Sequence, residues 1–421
     1  MRPRVARWIA VGSSLAALVA GAALAAPGAS ALITNAGSAR VSYKPLRADS
    51  SESAPAAVQK EQGASVRPLE YHGGPVMPSN MNYAIYWAPS GAAAYPSGYS
   101  SGIDRYFEDL AHDSGGIQNT DSILAQYGDS TGHFALYSSQ FGGPLFDTHA
   151  YPANGCSQAP VCFTDAQLRT ELTRYVGELH LPTDLQHEYF LLVPPGVESC
   201  LEAAGHSCSA GSKKPVYCAY HGFITTGAGP LVYANTPYMN GTNCDTGEEH
   251  PNGNPSDATL GGGLVHEHSE SVTDPELTAW FDSKEEEVAD KCRTHKATEF
   301  GEPLGKASNG SNYNEVIDGD LYWYQQMWSN QAGGCQQRVA APPPTIKKVK
   351  PKSGPAGGGT SITVTGTGFV GSVTVLFGST PATEVTVVSS TTITAVSPPG
   401  AVGTVDVRVQ SSAGTSLIVK G

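Results

Sequence analysis

The stretch Leu260-Gly261-Gly262-Gly263-Leu264-Val265-His266-Glu267-His268-Ser269-Glu270-Ser271-Val272-Thr273-Asp274-Pro275 decides how the middle of this chain is read. Asp257 can cap a helix running from about Ala258 to Thr273, and Asp274-Pro275 ends it, because the residue before a proline avoids the α region. On that helix His266 and Glu270 stand four apart and project from one face together with Thr273. A nitrogen and a carboxylate at this spacing, with Glu267 beside the first, make a metal-ligating pattern. His268 points about 200 degrees away from His266 and is the poorer ligand. Each glycine of Gly261-Gly262-Gly263 costs a helix about 1 kcal/mol against alanine, so another backbone or a ligand is expected to approach closely there.

Downstream, Ser283-Lys284-Glu285-Glu286 reads as a capping box opening a second helix, with Glu287 and Asp290 on one face and Cys292 near its end. Upstream, His221 ends a strand at Val216 to Tyr220, where it can bind metal, stabilise an oxyanion or simply be hydrogen-bonded. Asp318-Gly319 is a hairpin turn signal and lacks the twelve-residue ligand pattern of a calcium loop. Trp323, Tyr324, Met327 and Trp328 can line a groove or alternate in a half-buried strand.

Two helices, the first with two ligands and the second with a carboxylate ligand and an aspartate behind it, resemble the gluzincin class of zinc peptidases. The resemblance implies a zincin-like fold with His266, Glu270 and Glu287 as ligands, Glu267 as general base, and Asp290 and Asp274 orienting ligands. Glu270 stands where that class has a second histidine, which weakens Lewis acidity and favours harder ions. The run His266-Glu267, Glu270, Thr273-Asp274-Pro275, Trp280, Glu287, Asp290 and Cys292 also resembles a group of exported bacterial proteins. With Gly73-Gly74-Pro75-Val76 and Tyr83-Ala84-Ile85-Tyr86-Trp87, the domain looks distantly like the phosphate-induced protein 1 (EXORDIUM-like) family, secreted and wall-associated.

The N-terminus reads as a secretion signal. Arg2, Arg4 and Arg7 precede an apolar run from Trp8 to Ala26, and cleavage is expected after Ala31. Formal charge is -13 over 421 residues, which argues against nucleic acid, and no other segment is long and apolar enough to span a bilayer. Eight cysteines lie between Cys156 and Cys335, an even number in an exported chain, so disulfides are the natural reading. Their spacing suggests neighbour pairs Cys156–Cys162, Cys200–Cys208, Cys218–Cys244 and Cys292–Cys335, one of about 105 arrangements open to eight cysteines. A Gly-x-Ser-x-Gly elbow and a phosphate-cradling glycine loop are both missing, so serine hydrolase and nucleotide chemistry are poor readings.

Residues 32–68 read as a flexible spacer or pro-segment, and 69–339 as an α/β (α+β) domain. Its expected elements are a strand at 82–87, helices at 102–112 and 164–179, and a buried strand at 188–193. Ala340-Ala341-Pro342-Pro343-Pro344 is a linker, and short Val/Thr/Ile strands over 345–421 make a small all-β sandwich. That tail closely resembles the IPT/TIG family of immunoglobulin-like domains through Pro351-Lys352-Ser353-Gly354-Pro355, Gly366-Thr367-Gly368-Phe369, Phe377-Gly378 and Pro398-Pro399-Gly400. The family implies a spacer or binding module without catalytic residues.

The expectation is a secreted, disulfide-stapled, metal-dependent hydrolase of peptide bonds. The divalent metal would be zinc first, the catalytic residues Glu267 and His221, and the substrate an extracellular peptide, protein or cell-wall polymer. The alternative is a non-catalytic wall or surface-associated binding protein with a structural metal or none. The two differ in whether the ligands face a cleft or are closed in.

Overall fold

Alternating side chains on three neighbouring strands divide the central domain into two cores. The computed structural model describes residues 33–46, 67–247, 249–293, 299–339, 344–369, 373–389, 391–411 and 414–416. Strands β1 (Ile33–Ala36), β2 (Ala39–Pro45), β3 (Glu70–Tyr71) and β4 (Asn80–Trp87) precede helices α1 (Tyr99–His112) and α2 (Asp121–Leu124). Then come β5 (Ser139–Asp147), β6 (Val161–Thr164), α3 (Asp165–Glu178), β7 (His187–Leu192), β8 (Val197–Cys200) and β9 (Cys208–Ser209). The domain continues through β10 (Pro215–Thr225), β11 (Pro230–Thr236), α4 (Pro255–Thr259), a π-helical turn (Leu260–Leu264), α5 (Val265–Thr273) and β12 (Trp280–Phe281).

Ten of these strands form one mixed sheet in the order β5-β4-β7-β11-β10-β9-β8-β6, with β2 added to β10 and β1 to β2. The pairs β4–β5, β4–β7 and β7–β11 are parallel, and β10 runs antiparallel to β11 and β2. Ala84, Tyr86, Phe190, Leu192, Val232 and Ala234 point to the core shared with α1 and α5. Ile85, Trp87, Tyr189, Leu191 and Tyr233 point to the core covered by α3. Covering both faces is why these strands read as near-continuous apolar runs. Helix α3 opens with a Thr164–Gln167 capping box, as its Thr-Asp start suggests.

Several expectations are corrected. Residues 33–45 are not spacer: Ile33, Ala36 and Val41 are buried, and β2 is an integral strand of the sheet. No local signal announces this, because its partner β10 lies more than 170 positions along the chain. The signal, its cleavage site after Ala31 and residues 47–66 lie outside the described residues. The helix around His266 starts earlier than expected, with Asn254 at the N-cap, Pro255 at the first helical position and Asp257 accepting the Asn254 amide at 3.3 Å. Its glycines lie in the π-helical turn, where an added methyl at Gly261 would sit 2.5 Å from the Trp323 carbonyl and one at Gly262 2.5 Å from that of Cys244. The close approach is therefore backbone, not ligand.

The expected second helix at 283–292 is a loop ending in a 3-10 turn, Asp290–Cys292. Asp282 accepts the amides of Lys284 at 2.8 Å and Glu286 at 3.2 Å, and Glu285 is left-handed at φ 60 degrees. This local side-chain capping outcompetes helix propagation. Strand β10 runs past Tyr220 to Thr225, so His221 sits inside the strand instead of at its end. The Asp318-Gly319 hairpin forms as read, with φ of 48 and 99 degrees. Tyr324, Met327 and Trp328 are buried packing residues, not groove lining.

All four disulfides join the neighbour pairs, Cys156–Cys162, Cys200–Cys208, Cys218–Cys244 and Cys292–Cys335. Beyond the linker, Thr345–Lys350, Ser361–Thr367, Thr392–Val396 and Thr383–Ser389 form one sheet, and Thr380–Pro381, Thr374–Phe377, Val407–Ser411 and Gly414–Thr415 a second. Ile362, Val364, Phe369, Val375, Ile393 and Val409 fill the space between them. Among the described residues no helix is long and apolar enough to cross a membrane.

Candidate metal centre

Helix α5 carries charged side chains on every face, and all of them are buried. His266, Glu267 and Glu270 point toward β10 and β2, where His221 and the Lys44 amide meet them. The loop after Asp282 brings Glu287 and Asp290 to the same place. His221, Glu267, Glu270, Glu287 and Asp290 have 0 % exposure and His266 has 1 %.

The hydrogen bonds fix which atoms are committed. The Gln325 side-chain oxygen accepts from Lys44 Nζ at 2.9 Å, and its amide nitrogen donates to the Ala289 carbonyl. That orientation leaves the same oxygen 3.0 Å from His266 Nδ1, which must therefore donate. His266 Nε2 is turned to Glu270 Oε1 at 3.2 Å and Asp290 Oδ1 at 3.4 Å. His221 Nδ1 faces Glu267 Oε2 at 3.2 Å and Glu270 Oε2 at 3.7 Å, while its Nε2 faces Glu287 Oε1 at 3.8 Å. Backbone amides hold the carboxylates: Lys44 N–H donates to Glu267 at 3.2 Å, Asp290 N–H to Glu270 at 3.1 Å, and Glu287 N–H to Asp290 at 3.2 Å.

Six buried atoms here have at most ion-pair neighbours and no well-aligned hydrogen bond: His221 Nε2, His266 Nε2, Glu270 Oε2, both oxygens of Glu287, and Asp290 Oδ1, which also faces Arg293 Nε at 3.7 Å. Each is a metal-ligand atom type. Donor atoms of His221, Glu270 and Glu287 lie within 4.8 Å of one another, and so do those of His266, Glu267 and Glu270. A buried polar atom without a partner costs about 1–3 kcal/mol, and several together call for something that satisfies them.

The electrostatics agree. Burial raises Glu287 well above the ordinary carboxylate range, and Glu270, Asp274 and Asp290 add to it. Burial, then Glu270, lifts Asp290 to about 6 against the opposing pull of His266. Burial would lower His266, yet Glu270, Asp290 and Glu267 push it up to about 10. Burial raises Glu270 as well, but His266 and His221 outweigh it and hold Glu270 low. The cluster is short of positive charge. Protons on the two Nε2 atoms, or a divalent cation in their place, would supply it.

The sequence brought together His266, Glu267, Glu270, Glu287 and Asp290, and the structure does so too. Glu267 Oε2 lies 3.2 Å from His221 Nδ1, and its Oε1 accepts the Lys44 amide. Asp274, expected to orient a ligand, accepts the amides of Thr278 and Ala279 at 2.6 Å and so shapes the turn after α5. Lys44, Ser42 and Gln325 were not anticipated, because only long-range pairing brings them here. His268 points to the opposite side, 2.8 Å from Glu188 and 3.3 Å from Asp121. Burial would lower His268, but Glu188 and then Asp121 raise it to about 10.

A family model for the IPT/TIG domain matches residues 344–419, so the C-terminal sandwich is an IPT/TIG module. No curated protein matches the chain significantly. Among solved structures, the Plexin A4 extracellular region is 25% identical over 24% of this chain and 8% of its own, with a TM-score of 0.17. SGBP-B from a xyloglucan utilization locus of Bacteroides uniformis is 24% identical over 28% and 30%, with a TM-score of 0.18. An auxiliary nutrient binding protein of Bacteroides thetaiotaomicron is 18% identical over 20% of each chain, with a TM-score of 0.17. The chain spans less than a third of each of these, and likenesses this partial decide nothing about the central domain.

Proposed function

We propose that the central domain is built around a closed divalent-cation site, in a secreted binding protein that carries an IPT/TIG module. His221, His266, Glu270, Glu287 and Asp290 supply the ligand atoms, with Glu267 and Gln325 orienting the two imidazoles. One observation carries this reading: ligand atoms of two histidines and three carboxylates converge where every contributing side chain is buried, and six of those atoms make no hydrogen bond. Imidazole with carboxylate suits zinc, and the carboxylate excess also accommodates harder ions. Four disulfides suit an oxidising, extracytoplasmic location.

A metal-dependent peptidase is the second reading, favoured by the zincin-like order of His266, Glu267 and Glu270 on one helix. It needs an open coordination position, and here both Glu267 oxygens are engaged, by His221 and by the Lys44 amide. Calorimetry with a chelator tests the first reading. Dipicolinate or EDTA should lower the melting temperature of the central domain by roughly 5–10 °C, and Glu270→Ala should abolish that response. An unchanged melting temperature in chelator would contradict it.

A further inference from the structure

The element that closes the site is the N-terminal hairpin. β2 lies antiparallel on the edge of β10 with Ser42 opposite His221 and Val41 opposite Gly222. Its Lys44 amide caps Glu267 at 3.2 Å, and Lys44 Nζ reaches Gln325 at 2.9 Å and Glu299 at 3.3 Å. Arg40 ties the hairpin to the segment after α5 through the Leu277 carbonyl at 2.9 Å. Two of these contacts engage the site itself, at Glu267 and at the Gln325 oxygen that faces His266 Nδ1.

We propose that hairpin 33–45 is a detachable cover whose release from β10 opens His221, Glu267 and Glu287 to solvent. Its connectivity permits this: β1 pairs β2 alone, and β2 joins the sheet only through β10. Its anchors are the β2–β10 ladder, a few polar contacts and a small apolar set. Lys44 and Arg40 make polar contacts, and Ala36, Val41 and Tyr43 pack on the core covered by α3. The remaining sheet, β5-β4-β7-β11-β10, keeps its own pairing without the hairpin, and the core shared with α1 and α5 contains no hairpin residue. A buried ion site needs a route in and out, and lifting this strand provides one at the coordination face. The same opening is what the peptidase reading requires. The proposal stands on the geometry of the hairpin and not on whether an ion is bound.

The test uses the full chain without metal. Diethylpyrocarbonate labelling, mapped residue by residue, compares the wild type with Val41→Asp. Exposed His206 is the reference, and His268, on the other side of α5, is the buried control. In the variant His221 and His266 should react at least about tenfold faster than in the wild type, while His268 stays protected. Protection of all three, or reaction of all three alike, would overturn the idea, the first because nothing opens and the second because the hairpin cannot part from the fold. Hydrogen exchange on the wild type gives an independent reading. Amides shared by β2 and β10 should exchange before those shared by β10 and β11, and simultaneous exchange of both sets would overturn the proposal. A metal-free wild type that shows this order would leave the cover standing even if the ion reading failed.

Discussion

The two sides of helix α5 bury the same kinds of group in the same proportion and do opposite things with them. Toward β7 and α2, one imidazole, His268, lies between two carboxylates, Glu188 and Asp121. Toward β10, two imidazoles, His221 and His266, lie among four carboxylates, Glu267, Glu270, Glu287 and Asp290. Composition alone does not distinguish them. The nitrogens of a single ring point apart, so Glu188 and Asp121 sit on opposite sides of His268 and cannot share an ion. Both sides leave buried atoms without a hydrogen bond, His268 Nε2, Glu188 Oε1 and Asp121 Oδ2 on the first and six atoms on the second, but only toward β10 do ligand atoms of three residues come within 4.8 Å of one another. The difference teaches that a candidate metal centre is marked by convergence of ligand atoms, not by a count of histidines, acids or orphaned atoms.

The largest effect that can break this comparison is on the His268 side. His268→Gln leaves two buried carboxylates without their cation, which should cost about 3–5 kcal/mol in urea unfolding. Metal content should not change. Loss of the metal in this variant would mean that the two clusters are one.

A smaller effect comes from Glu198, a buried carboxylate with only neutral donors. Burial lifts it from 4.5 to about 7, partly opposed by the Ser209 hydroxyl and the Gly211 amide. The folded state then holds a proton the unfolded chain has released. Stability is full below about 4.5 and is lost as pH rises through about 7, by up to ~3 kcal/mol. Glu198→Gln should remove that slope when unfolding is followed from pH 4 to 8. A slope that persists in the variant would show that Glu198 is charged in the fold, and that buried acids here keep their charge without a cation.

Much of the scaffold is legible in the sequence. The 3.6-residue stripes of Ile103, Tyr106, Phe107 and Leu110, and of Leu168, Leu172, Tyr175 and Val176, mark α1 and α3. Cysteine spacing suggested the four disulfides, and Gly/Pro turns with Val/Thr strands marked the IPT/TIG sandwich. At the site, helical phase alone separates His266 from His268 correctly. What was hidden depends on long-range pairing or on local competition. Lys44 and Ser42 reach the site only because β2 finds β10, and His221 is buried only because β10 continues past it. The loop bearing Glu287 looked helical because its residues suit a helix, and Asp282 decides otherwise by capping two of its amides.

The measurement closest to the central claim is elemental analysis of the purified, oxidised full chain beside Glu270→Ala and His268→Gln. The account predicts about one divalent ion per chain in the wild type and in His268→Gln, and none in Glu270→Ala. A wild type that folds with no ion, even after dialysis against zinc, manganese and calcium, would contradict it.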